Sequence, residues 1–368
     1  METIPVKGQH RLCRVAIGEP VGNLSAWIPE GRSLIITDRR LQELHGHHWA
    51  GLPAFVVEPG EQSKSLDTAA AICRWLMEQG ADRSHFITGI GGGVVCDLAG
   101  FVASTFMRGI DFGFVATSLL AQVDASVGGK NGVNLDGYKN IVGTFNQPRF
   151  VLCDTGLLRT LPREEIQNGM AEVIKHGLIA DCGLFERLEQ LGTAALDPRG
   201  GHWEYLVSRS VHIKAAIVER DEREAGERRK LNLGHTWGHA LEKTGRLPHG
   251  FAVAVGLSYA ASLSVARGLM RREEHERVVR LLKAVGLPTA AAIPPETVWE
   301  ALTRDKKREG DRMHFVLNKG IGEVVVEPLS LRELHDFTMA SGDRPWLLAG
   351  DPGHFGEQAN PGTQQPTP

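Results

Sequence analysis

Two hydrophobic rhythms succeed one another along the chain, and their order restricts the fold more than any other feature. Up to about residue 155, short runs rich in β-branched and aromatic residues (RSLIIT, AFVVE, HFITGIGGG, FGFVAT) alternate with helix-like sequence such as SLDTAAAICRWLMEQG. Runs of this length suit strands, and strands separated by helices make βαβ units with a parallel sheet. From about Leu157 to His335 the period lengthens to that of amphipathic helices, in REEIQNGMAEVIKHGLIA, WEYLVSRSVHIKAAIVERDERE and REEHERVVRLLKAVG. The expected organisation is an α/β domain over 1–155 followed by a mainly α-helical domain over 156–341. Residues 342–368 hold five prolines, several glycines and paired glutamines. Such a stretch buries too little to fold alone and is expected to be a disordered tail.

A length of 368 residues suits two domains with a cleft between them. With 41 basic and 44 acidic side chains the formal net charge is -3, so no global field recruits nucleic acid or an acidic membrane, and any anion must be held by a local cluster. Five scattered cysteines, Cys13, Cys73, Cys96, Cys153 and Cys182, form no CxxC pair and suit a reduced compartment. The N-terminal METIPVKGQHRLCRVAIG has no signal-peptide pattern, and no stretch reads as the roughly 18 apolar residues needed to span a bilayer. A cytoplasmic protein is the expectation.

Several segments carry chemistry. In HFITGIGGGVVCDLAG an apolar strand ends in Gly91, Gly92 and Gly93 just before a helix-like run. Glycines admit a close backbone approach, and a helix N-terminus supplies free N–H groups, a combination that suits a pyrophosphate. Val94 stands where a G-x-G-x-x-G pattern has its third glycine, so a ligand-free tight turn fits the same letters. PGEQSKS puts Glu61 and Lys64 on a turn entering a helix. The segment SLLAQVDASVGGKNGVNLDGYKN gathers Asp124, Lys130, Lys139 and Asn140 on glycine-rich sequence, and Arg108 sits on a turn upstream. Lysines and an amide converging in this way can bind a phosphate.

In the helical half, Glu172 and Lys175 lie three apart on an apolar face, as either a buried ion pair or part of a metal site. LNLGHTWGHALEKTGRLPHG then offers His235, His239 and His249, the first two four apart and the third beyond Pro248. Catalytic zinc takes about three His or carboxylate ligands and keeps one position open, so Glu172 with two of the three histidines completes a set. Spacing alone nominates His235 and His239. Lys214, Glu224, Arg228 and Asn232 precede the histidines, and Lys306 and Lys307 follow on an expected loop.

Taken jointly, GGGVVCDLAGFVA, SLLAQVDASVGGKNGVN, GMAEVIKHG, LNLGHTWGHALE and HGFAVAVG resemble, in order and spacing, the 3-dehydroquinate synthases of the sugar phosphate cyclase superfamily. The similarity runs from about Pro59 to Lys319. It implies a Rossmann-like NAD domain, a helical C-terminal domain, one divalent metal (zinc or cobalt) and a homodimer. By the same resemblance the metal ligands are Glu172, His235 and His249, with His239 turned to the substrate phosphate. Gly91, Gly92, Gly93, Asp97, Glu61 and Lys64 correspond to NAD contacts, and Asp38, Thr117, Ser118, Lys139, Thr160, Leu161 and Glu165 to further cofactor-pocket positions. Lys130, which also counts toward the cofactor pocket, Asn140 and Lys175 correspond to phosphate and substrate contacts, with Asp124 beside them. Lys214, Arg228, Asn232 and Lys306 or Lys307 surround the substrate carboxylate and hydroxyls, and Arg108 is lent across the dimer. Departures from the family pattern are Phe251, Asn131 and Ser118.

The reaction implied is conversion of 3-deoxy-arabino-heptulosonate 7-phosphate to 3-dehydroquinate and phosphate, through transient oxidation by NAD, phosphate loss, re-reduction and an intramolecular aldol closure. Other sugar phosphate cyclases, an aminodehydroquinate synthase among them, and metal-dependent polyol dehydrogenases are the alternatives. A nucleotide-binding module without chemistry would need only the glycine loop.

Overall fold

A computed structural model describes residues 1–9, 11–244, 247–303, 308–309 and 311–339. Lys306, Lys307 and the expected tail therefore lie outside the described residues. The alternating first part forms a seven-stranded sheet. In chain order its strands are β1 (Glu2–Lys7), β2 (Leu12–Ile17), β3 (Ser33–Asp38), β4 (Ala54–Val57), β5 (Phe86–Gly91), β6 (Asp111–Ala116) and, after an excursion, β9 (Phe150–Cys153). Their spatial order is β1-β2-β9-β6-β5-β3-β4, with every neighbouring pair parallel except β1 and β2. Both faces are covered, which explains the nearly continuous apolar runs. Ile35, Ile90 and Val115 pack on one face with Trp49 and Phe150, while Leu34, Ile36 and Phe114 enter the cluster that continues into the helical half.

The chain runs from β3 out to β4 and then returns to place β5 on the other side of β3. The carboxyl ends of β3 and β5 thus flank a topological switch point, where open α/β sheets leave a crevice for ligands. Asp38 ends β3 and caps α1 (Arg39–His45) by accepting from the Leu41 N–H at 3.0 Å. Helix α2 (Leu66–Glu78) follows β4, and β5 runs into Gly92 and α3 (Gly93–Thr105).

The excursion between β6 and β9 is a hairpin, β7 (Lys130–Leu135) and β8 (Tyr138–Phe145). Its two-residue turn is Asp136-Gly137, both at positive φ (51° and 79°), with Leu135 paired to Tyr138. That is the sterically favoured hairpin turn, and Asp-Gly is among its preferred sequences. Asn131 pins the hairpin base, donating to the Gly129 and Asn146 carbonyls at 3.1 and 2.9 Å.

The second half contains α4 (Arg163–Ala180), α5 (Cys182–Leu191), α6 (Trp203–Arg220), α7 (His235–Lys243), α8 (His249–Ala266), α9 (Arg272–Ala284), α10 (Pro295–Thr303) and α11 (Leu331–Met339). A small antiparallel sheet, β10 (Arg308–Glu309), β11 (Arg312–Asn318) and β12 (Val324–Ser330), joins them. The sequence reading held no such sheet. The segment that carries Arg228 and Asn232 is a 3-10 turn (Glu227–Asn232), separated from α7 by Leu233 and Gly234.

Helix α8 also amends the membrane reading. Among the described residues it is long and apolar enough to cross a bilayer by length and composition, but it is mostly buried as the central helix of this half. Its glycines explain how closely it is packed. A methyl at Gly256 would lie 1.9 Å from the carbonyl oxygen of Gly234, and one at Gly238 would meet the α8 backbone at 3.2 Å. Gly234 itself takes φ 77°. Gly256→Ala is therefore expected to lower stability by about 1–3 kcal/mol through overpacking, read as a lower urea midpoint; an unchanged midpoint would refute this account of the α7–α8 contact.

Candidate functional site

A cleft of about 1070 Å³ opens at the switch point and extends between the two halves. From the sheet side it is lined by Asp38, Glu61, Lys64, Gly92, Gly93, Asp97, Thr117 and Ser118. From the hairpin and helical sides come Asp124, Lys130, Lys139, Asn140, Thr160, Leu161, Glu165, Lys214, Arg228, His239, Glu242 and His249. The glycine loop is tight for definable reasons. A Cβ at Gly91 would fall 2.4 Å from Val95, and at Gly93 it would meet Ala125 at 3.2 Å. The α3 N-terminus presents its first N–H groups to the cleft, with a partial positive charge suited to an anion. Beside it, Lys64 is paired with Asp97, and Glu61 accepts from Asn134 at 2.8 Å. Ser118 accepts from the Ala121 N–H at 3.2 Å, and Thr160 lies 3.1 Å from His45.

Asp124 belongs to a single π-helical turn, Ala121–Ala125, an irregularity that frequently marks functional positions. Lys214 from α6 donates to its Oδ1 at 2.5 Å and to its carbonyl at 2.6 Å, while Lys175 lies 4.0 Å away. Burial works against the Asp124 charge, yet the two ammonium groups outweigh it and hold the carboxyl below its usual range. Lys214 is drawn down to about 8 by burial, Asp124 opposing. Arg228 is buried and donates to the carbonyls of Glu222 (2.5 Å) and Gly128 (3.0 Å). Glu224 holds Lys130 and accepts from Asn232 at 2.5 Å. Asn140 takes φ 53° while its N–H donates to Asn134 at 2.9 Å.

Behind this lining an acid and two of the three histidines come together. Glu172 on α4 is fully buried, and its Oε1 lies 3.4 Å from Nε2 of both His235 and His249. Its carboxylate is held by ionic contacts, the other oxygen facing Lys175. The three ligand atoms lie within 4.8 Å of one another. Tetrahedral coordination with bonds of about 2.0–2.2 Å separates ligand atoms by about 3.4 Å, so this donor set fits a zinc-like cation. The remaining ring nitrogens are committed: His235 Nδ1 is 3.1 Å from the Leu233 carbonyl, and His249 Nδ1 contacts Glu242. Those contacts orient both rings with Nε2 toward Glu172, where a metal would be held. His239 lies on the cleft wall, its ring centroid 5.3 Å from that of His235.

Local backbone explains the convergence. Asn168, one turn before Glu172 on α4, accepts from the Gly250 N–H at 2.5 Å and so ties the first turn of α8, with His249, to the carboxylate. A side chain on Gly250 would strike the Asn168 carbonyl at 2.0 Å. Gly91, Glu172, Lys175, Asn232 and His235 are not part of the cleft lining itself, and neither is Arg108. Arg108 is exposed, at φ 67°. Asn168 and Glu242 were missed by sequence reasoning. Glu242 had a signal, since His235, His239 and Glu242 are spaced i, i+4, i+7 along one helical face.

Two family profiles, described as 3-dehydroquinate synthase N-terminal and C-terminal, match residues 54–168 and 169–308. The chain belongs to the 3-dehydroquinate synthase family. It is 42% identical over 345 residues to the 3-dehydroquinate synthase of Pelotomaculum thermopropionicum, covering 89% of this chain and 93% of that protein. Its fold is similar to that of a 2-epi-5-epi-valiolone synthase from Streptomyces hygroscopicus subsp. jinggangensis with NAD+ and Zn2+ bound (TM-score 0.83, 26% identity, covering 94% and 100% of the two chains). It is likewise similar to a 2-deoxy-scyllo-inosose synthase complexed with carbaglucose-6-phosphate, NAD+ and Co2+ (TM-score 0.81, 26% identity, covering 92% and 99%). As expected from the sequence, this is a Rossmann-like α/β domain joined to a mainly helical one, the plan of dehydroquinate synthase-like proteins.

The two histidines of this trio differ in charge. Burial, aided by Lys175, pushes His235 down to about 3. Burial also opposes the charge on His249, but Glu172 and Glu242 outweigh it and hold that ring at about 10. His249 is thus protonated at neutral pH and must lose that proton to coordinate, whereas His235 is already neutral. Cation affinity is expected to rise about tenfold per pH unit between these two values and to fall in acid. Calorimetry at pH 7 in buffers of different ionisation enthalpy should register about one proton released per cation; none released would contradict the charge state assigned to His249.

Proposed function

We propose that the chain is an NAD- and metal-dependent lyase that converts 3-deoxy-arabino-heptulosonate 7-phosphate to 3-dehydroquinate and phosphate, a shikimate-pathway step of aromatic amino acid biosynthesis. The observation that carries this is that the Glu172–His235–His249 trio, which reaches the cleft through His249, stands beside buried cations and the glycine loop at the switch point. NAD, held by the glycine loop, Asp38, Glu61, Lys64 and Asp97, supplies reversible hydride uptake. The metal, held by Glu172, His235 and His249, supplies Lewis acidity toward a substrate oxygen.

The chain's own side chains position and neutralise. Lys130, Asn140, Lys175 and His239 receive the phosphate, with Asp124 setting the lysines among them. A carbon acid next to a newly formed ketone can pass its proton to the phosphate's own oxygen, so these residues need only orient that group and stabilise it as it leaves. Lys214, Arg228 and Asn232 take the carboxylate and ring hydroxyls. Arg228 and Lys214 are buried cations, which a neutral hydroxyl would match poorly, and this favours a carboxylate-bearing substrate over a hexose or heptose phosphate. The cleft holds the remaining intermediates for closure. We further infer a cytoplasmic homodimer in which Arg108 reaches the neighbouring site; its exposure outside its own cleft supports that assignment.

Phosphate release from the heptulosonate phosphate should proceed with catalytic NAD, stop after chelation and resume with added Zn2+ or Co2+. Net accumulation of NADH absorbance would instead indicate a dehydrogenase. His249→Ala should lose metal and turnover while keeping its far-ultraviolet dichroism. Lys214→Met should reduce kcat/KM by about 10²-fold, the typical scale for removing one partner of a buried charge pair; undiminished turnover would rule out Lys214 as a substrate contact.

A further inference from the structure

We propose that Glu242 is a positioning residue for the metal ligand His249, and that it sets the cation affinity of the site. The inference rests on the metal reading given above and deepens it.

The two histidine ligands are supported differently. His235 begins α7, and its Nδ1 is fixed by the carbonyl of Leu233, a group of its own chain segment at 3.1 Å. His249 begins α8 directly after Pro248, and its side chain is 27% exposed against 10% for His235. Within hydrogen-bond reach, its Nδ1 meets the Glu242 carboxylate and no backbone carbonyl among the described contacts. Without that carboxylate the ring could turn and present either nitrogen to the cation. With it, the Nδ1–H is committed, Nε2 points at Glu172, and the imidazole becomes a stronger donor.

Glu242 is itself built into place. It occupies the α7 face that carries His235 and His239, two turns on from His235, and its side chain is only 7% exposed. A carboxylate so buried is retained only with compensating charge. Its Oε1 faces His249, and its Oε2 faces Lys139 Nζ at 3.5 Å. Lys139 stands on β8, so the carboxylate also bridges from the helical half to the hairpin of the α/β half. Burial opposes the Glu242 charge, but His249 outweighs it and brings the carboxyl down to about 2, so the group accepts at neutral pH. The arrangement is a carboxylate–histidine–cation relay with an outer lysine.

The test uses full-length protein stripped of metal and titrated with Co2+, followed by the visible absorption band and by competition with a chromophoric chelator. Glu242→Ala is expected to weaken Co2+ binding about 10- to 100-fold. Glu242→Gln keeps an oxygen for the Nδ1–H and should restore most of that affinity. Its Co2+ band should nonetheless shift, because a neutral acceptor leaves His249 a weaker donor. A purely structural role would lower the thermal midpoint of the metal-free variants and leave band and affinity unmoved, which overturns the proposal. Should Glu242→Ala not fold, the band of Glu242→Gln decides the matter alone. Wild-type protein that takes up no Co2+ would instead overturn the underlying metal site, a distinguishable failure.

Discussion

The burial of one carboxylate organises this molecule. Glu172 lies in the middle of α4 with no exposed surface, among Met170, Val173 and Ile174. An isolated charge there would cost several kcal/mol, and removing a single partner from such a group is strongly destabilising. Its surroundings answer that demand from three elements at once: Lys175 from the same helix, His235 from α7 and His249 from α8. A second buried anion, Asp124, extends the pattern through Lys175 and Lys214 into the cleft. Charge balance inside an apolar framework therefore does two things. It holds the helices together, and it leaves a polar pocket at the seam between the halves.

Precision in that pocket comes from backbone contacts more than from side-chain bulk. Gly250 against Asn168, Gly256 against Gly234 and Gly169 against Leu119 bring α4, α7, α8 and the loop after β6 closer than side chains would permit. The hydrogen bond from Gly250 to Asn168 then fixes where His249 stands along α8 relative to Glu172 along α4. Helices packed this rigidly hold groups far better than loops do, and coordination chemistry tolerates little slack.

Much of this was legible from residue order. Strand runs such as RSLIIT and HFITGIGGG, the glycine loop and the acid and histidines of the Glu172–His235–His249 trio all carry strong local patterns. Choosing His249 over His239 was not among them. Both spacings suit a ligand, and the family resemblance, not periodicity, favoured His249; the geometry depends on how Pro248 aims the start of α8, which is a tertiary matter. The hairpin has a local signal of its own, Asp136-Gly137 between alternating residues. The small sheet β10–β12 was hidden because strands such as MHFVLN stand among helices whose period dominates that half. Asn168 gave no sign at all, since its importance arises only where α4 meets α8.

The two-residue turn of the hairpin has a consequence for how this chain can change. Lys130 and Lys139 sit on its two strands and reach across to Glu224 and Glu242, which belong to separate segments of the helical half. Because strand side chains alternate sides, inserting or deleting one residue at Asp136-Gly137 would turn one lysine outward while sparing the other. Length at that surface turn is thus coupled to the alignment of two distant acidic partners, so drift that most exposed loops absorb would here be felt inside the cleft.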